Sequence, residues 1–115
     1  MNRFLFILII AQLLTLPILA QNVKKDIRSG NKAYEDGAFQ DAELQYRKAL
    51  ENIEGSSQTA LYNLGNALYR QENFDAASGS WAMAADQYDS PEQKADAAYN
   101  LGNAMMKTQK YPEAI

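Results

Sequence analysis

Hydrophobic residues follow two regimes along this chain. From Phe4 to Ala20 they are nearly unbroken, 14 of 17 positions, whereas after Gln21 they are spaced at three- and four-residue intervals among polar side chains. The second spacing places apolar groups on one face of a helix, so the body of the chain reads as amphipathic helices. Helix breakers divide it. Gly37 and Asn73 stand where a left-handed turn between helices is tolerable for those residue types. Gly55-Ser56-Ser57 ends one helix and caps the next, and Ser90-Pro91-Glu92-Gln93 reads as a capping box, with Ser90 as N-cap and Gln93 reaching back. These signals predict helical hairpins over about 23–56 and 58–91, and a third unit over about 91–115 that stops a few residues into its second helix.

The hairpins are copies of one another. YNLGNA occurs at Tyr62–Ala67 and again at Tyr99–Ala104, and a weaker copy, RSGNKAY, starts at Arg28. Nine residues after Gly30, Gly65 and Gly102 stand Phe39, Phe74 and Tyr111; twelve after stand Ala42, Ala77 and Ala114. Tyr46 and Trp81 lie sixteen after the first two glycines, and Ala49 and Ala84 nineteen after. Agreement of three registers at small and aromatic positions marks an internal repeat. These residues resemble the tetratricopeptide repeat, across 23–115. The resemblance implies an all-α fold, a short right-handed solenoid of helix pairs. Within each pair the small residues (Gly30 with Ala42, Gly65 with Ala77, Gly102 with Ala114) are expected where the backbones approach, with the aromatics between them. Repeats of this kind gain stability from their neighbours, so the incomplete third unit leaves Leu101, Met105 and Met106 short of cover and suggests a fragment of a longer protein, or completion by a partner or by self-association.

The first regime has the layout of a secretory signal peptide. Arg3 supplies the positive start, the apolar run follows, and Pro17 precedes the small residue Ala20, so cleavage is expected between Ala20 and Gln21 and export with it. The competing reading is an uncleaved anchor in the inner membrane, the only way the chain would engage a membrane. Seventeen residues are near the lower limit for a spanning helix, and Gln12, Thr15 and Pro17 interrupt them.

In the tetratricopeptide family the first helix of each hairpin lines the concave face, so the resemblance makes those helices the place to look for partner contacts. Helical spacing there selects Ile27, Asn31 and Tyr34 in the first unit, Tyr62, Asn66, Tyr69 and Arg70 in the second, and Tyr99, Asn103, Met106 and Lys107 in the third. Asn63 and Asn100, one turn earlier, resemble an asparagine ladder that holds peptide backbone. Amides that bond a backbone and tyrosines that offer flat apolar area suit a protein or peptide partner. The carboxylate clamp of chaperone-binding members is not matched. Asn31 and Asn63 fit its asparagines, but its basic positions hold Ile27, Asp96 and Asn100.

Composition removes most other chemistry. There is no cysteine and no histidine, so thiolate nucleophiles, disulfides and the usual zinc sites are excluded, and no cofactor or metal site is expected. Glu35-Asp36 and Asp86 with Asp89 are the nearest carboxylate pairs, on helices whose exposed faces such residues normally solvate, and the six glycines form no phosphate loop. The chain reads as non-catalytic. Its net charge of -3 provides no basic patch for nucleic acid. Of the 39 apolar residues after Ala20, sixteen are alanine, which suits closely packed helices better than a sandwich of strands.

The run DIRSGNKAYEDGAFQDAELQYRKALE followed by YNLGNALYRQENF resembles, more narrowly, the exported repeat component of the Bacteroides aerotolerance operons, the BatC family. That resemblance implies a periplasmic adaptor whose partners include membrane proteins with von Willebrand factor A domains. The expectation is an exported, non-catalytic scaffold. The alternative is a holdase-like chaperone or secretion accessory that takes many extended segments into the same groove.

Overall fold

The computed structural model of the chain describes residues 22–51 and 57–108. They form five helices: α1 (22–35), α2 (Phe39–Glu51), α3 (Gln58–Arg70), α4 (Phe74–Asp86) and α5 (Pro91–Thr108). No strand occurs among the described residues, and none of the helices there is long and apolar enough to cross a membrane. Each helix from α2 onward packs on the next in sequence, the order expected of helical hairpins stacked into a solenoid. The leader (1–20), Gly55 and Ser56 in the predicted cap, and Tyr111 and Ala114 of the third unit lie outside the described residues.

Local chemistry sets the helix starts. The Ser57 hydroxyl accepts the Ala60 N–H at 3.2 Å at the head of α3, and the Ser90 hydroxyl accepts the Gln93 N–H at 3.5 Å, one residue ahead of Pro91 in α5. The turns inside the hairpins close alike, with the Ala38 N–H on the Ala33 carbonyl at 2.9 Å and the Asn73 N–H on the Leu68 carbonyl at 3.0 Å. Such a closure places one residue in the left-handed region. In the first hairpin it is Gly37, at φ 79°. In the second it is Glu72, at φ 61°, and not Asn73, whose φ of -87° is ordinary. The physical reason is register: Gly37 and Glu72 both lie seven residues after their repeat glycine, and the closure needs its special residue there whatever its type.

Alanines and two aromatics build the core. Ala42, Tyr46, Leu64, Leu68, Ala77 and Trp81 are buried in one cluster with Ala67 and Ala104, and Val23, Ala49 and Ala60 form a second between the early helices. The repeat glycines serve this core in a way the spacing did not indicate. A Cβ built on Gly30 would fall 2.5 Å from the Tyr46 ring, and one on Gly65 2.3 Å from the Trp81 ring. The atoms nearest to these glycines' missing Cβ positions are therefore those of the aromatic rings sixteen residues on, in the same buried cluster as Ala42 and Ala77. Both rings are also pinned by their polar atoms: the Tyr46 hydroxyl donates to Asn31 Oδ1 at 2.6 Å, and the Trp81 indole N–H donates to the Tyr62 carbonyl at 3.1 Å. Buried Ser80 donates to the Leu61 carbonyl at 2.6 Å.

Candidate functional site

Two adjoining clefts cross α1, α3 and α5. The first, about 250 Å³, is lined by Asn31, Tyr34, Glu35, Tyr46, Asn63 and Asn66. The second, about 170 Å³, is lined by Tyr34, Asn66, Tyr69, Trp81, Asn100 and Asn103. Tyr34 and Asn66 belong to both, so the clefts form one groove. Repetition explains its lining: Asn31, Asn66 and Asn103 each follow a repeat glycine by one residue, and Asn63 and Asn100 precede one by two.

The groove is partly pre-bonded. Asn31 Oδ1 accepts both the Tyr46 hydroxyl, at 2.6 Å, and the Asn63 amide, at 3.1 Å, which fills its two lone pairs and joins α1 to α2 and α3. The side chains of Asn66 and Asn103 carry no hydrogen bond among the described residues and line the second cleft. Their amides offer both donor and acceptor, which is what one peptide unit of an extended chain needs. Burial, and then the neighbouring Tyr34 and Glu35, push the Tyr46 hydroxyl up to about 12, so it stays a neutral donor over the whole physiological range.

Seven of the residues selected by spacing thus meet in the groove: Asn31, Tyr34, Asn63, Asn66, Tyr69, Asn100 and Asn103. The others are elsewhere. Ile27 packs against the Val23 cluster. The Tyr62 ring packs on the main core and its hydroxyl accepts the Asn100 amide at 2.6 Å, so it ties α3 to α5. The Tyr88 hydroxyl beside it is raised above its ordinary range by burial, then by Tyr62 and Asp96. Arg70 lies over the rings of Phe39, at 4.5 Å, and Tyr34, at 5.8 Å, in a separate polar recess at the α1–α2 turn. Lys107 lies over Phe74 at 5.9 Å. These two cations repeat one arrangement, the last turn of a first helix reaching back over the aromatic of the preceding unit. Tyr99 and Met106 are exposed and line neither cleft.

Spacing alone did not select Glu35, Tyr46 and Trp81 as lining residues. Glu35 was legible in principle, because it shares with Arg70 and Lys107 the fifth position after the repeat glycine. Tyr46 and Trp81 are core rings, 2% and 3% exposed, whose edges reach the groove floor. No group of three or more carboxylates gathers into a metal site among the described residues.

Comparison with curated proteins gave no match. The tetratricopeptide repeat profile matches residues 28–88 and 62–115, which together run through all five units of helix from the middle of α1 onward. With that match, and with helix pairs that repeat their glycine, aromatic and asparagine positions in space as in sequence, the chain belongs to the tetratricopeptide repeat family.

Proposed function

We propose that this chain is an exported adaptor whose groove holds an extended segment of a protein partner in the cell envelope. Its family is in general a non-catalytic interaction module, which gives the coarse reading. The observation that carries the finer one is the pair of uncommitted amides, Asn66 and Asn103, set beside Tyr34 and Tyr69 in a shared cleft. Export draws on the leader at 1–20, with the mature chain starting at Gln21. The resemblance to the aerotolerance component adds a complex with membrane proteins that bear von Willebrand factor A domains.

The test is affinity capture from envelope extracts with the mature chain and with Asn66→Ala/Asn103→Ala. One stoichiometric partner, lost in the double variant while helical circular dichroism is unchanged, supports the adaptor. Capture unaffected by the double variant overturns the groove assignment. Mass spectrometry of the exported protein checks the leader, and a start upstream of residue 18 overturns cleavage. A second reading, a holdase-like chaperone, draws on the exposed Met83, Met105 and Met106, since flexible thioethers suit varied clients. A broad spread of unfolded clients in the same capture favours it.

A further inference from the structure

We infer that the groove selects a partner segment carrying a lysine or arginine, seated in the first cleft against Glu35; this rests on the groove reading above. Ten residues line the two clefts, and Glu35 is the one acidic or basic side chain among them. The other members are asparagines and aromatics. No lysine or arginine lines either cleft: of the nearby cations, Lys32 pairs with Asp36 at 3.8 Å, Arg70 covers Phe39 and Tyr34, and Lys107 covers Phe74.

Register gives an independent reason for the asymmetry. At the fifth position after the repeat glycine the second and third units carry a cation that reaches back over the preceding unit's aromatic, whereas the first unit carries an acid that lines the cleft. Within that cleft Asn31 Oδ1 is already saturated by Tyr46 and Asn63. The Glu35 carboxylate is then the strong acceptor an incoming donor meets, with the Tyr34 ring beside it. A guanidinium or ammonium group gains a charge-assisted bond there, while an incoming carboxylate meets like charge and no cation. The groove is thus opposite in preference to a clamp for terminal carboxylates.

Display of random-sequence peptides, selected in parallel on the chain, on Glu35→Lys and on Asn66→Arg as a blocked groove, tests this. Glu35 is exposed, so its variants keep the fold. The expected result is enrichment of Lys or Arg at one fixed position, replaced by Asp or Glu on Glu35→Lys. Fluorescence anisotropy with the selected peptide should show Glu35→Gln weakening binding about two- to fivefold at low ionic strength, and less as salt rises. Selected peptides without a basic preference, or affinities that ignore both Glu35 substitutions, overturn the inference and leave the groove standing. If no peptide is enriched over Asn66→Arg, the groove reading itself falls, and this inference with it.

Discussion

Gly30, Gly65 and Gly102 share one register, yet replacing them with alanine should move stability in opposite directions. In a helix interior alanine is favoured over glycine by about 1 kcal/mol, and that gain applies at every site. At Gly65 the new Cβ would lie 2.3 Å from Trp81 Cδ1 and Nε1. Ordinary contact between carbons lies near 3.5–4.0 Å, so the indole must retreat by about 1 Å or more. It has little room, being 3% exposed, bonded to the Tyr62 carbonyl and packed 5.6 Å from the Tyr69 ring. Overpacking of this kind costs about 1–3 kcal/mol, and weakening the indole hydrogen bond adds about 1 kcal/mol. Gly65→Ala should therefore lose about 1–3 kcal/mol net, a fall in Tm of about 5–20 °C for a domain this small. At Gly102 the added Cβ meets nothing within 4 Å among the described residues, and Gly102→Ala should raise Tm by several degrees. Thermal melts followed by circular dichroism at the helical band read both. If the two substitutions shift Tm in the same direction, the assignment of these glycines to ring seats is refuted.

Three further outcomes follow from the same geometry. Glu72 holds a left-handed backbone that costs a side-chain-bearing residue about 1–2 kcal/mol, so Glu72→Gly should stabilise the chain by about 1 kcal/mol in urea titration. Arg70→Ala removes the cation over Phe39 and should cost about 0.5–1 kcal/mol, with Arg70→Lys recovering part of it in the same assay. Tyr46 remains protonated in the fold to about pH 12, while in the unfolded chain it ionises near its ordinary value of about 10. The folded state then holds the proton more tightly, so stability contributed by Tyr46 is intact below pH 10 and is lost as pH rises from 10 towards 12. Tyr46→Phe should flatten that segment of a stability–pH curve.

The helices, their hairpin order and the buried aromatics were legible because each depends on a local rule repeated at a fixed interval. Register puts Tyr46 and Trp81 between the paired helices, and both rings are buried there. What the chain concealed depends on contacts between units. Tyr62 and Arg70 sit on the helical face that spacing selects, but the first is claimed by Asn100 and the second by Phe39, each in a different unit. A single-helix projection does not contain those neighbours. Glu72 shows another limit, since glutamate carries no turn signal and only alignment with Gly37 reveals its backbone. Glu43 is a similar case. Burial would push its carboxyl up, yet hydrogen bonds from Arg47 and Gln71, with the Arg47 charge, hold it below the ordinary range, and Gln71 comes from the next hairpin.

α3 is packed against α2 on one side and α4 on the other, and Ala60, Leu61, Leu64, Gly65, Ala67 and Leu68 are all buried along it. α5 has α4 and the Asn100–Tyr62 bond, with Tyr99, Met105 and Met106 left in water. Detaching α5 therefore exposes less apolar surface than disrupting α3, and amide exchange should be slowest in α3 and faster in α5. The two halves of the groove then have different lifetimes. The first cleft persists as long as the central helix does, whereas the second, which needs Asn100 and Asn103, exists only while α5 is docked. A segment long enough to use both halves should associate in two phases, a prompt engagement at Asn31 and Asn66 and a later one gated by the return of α5.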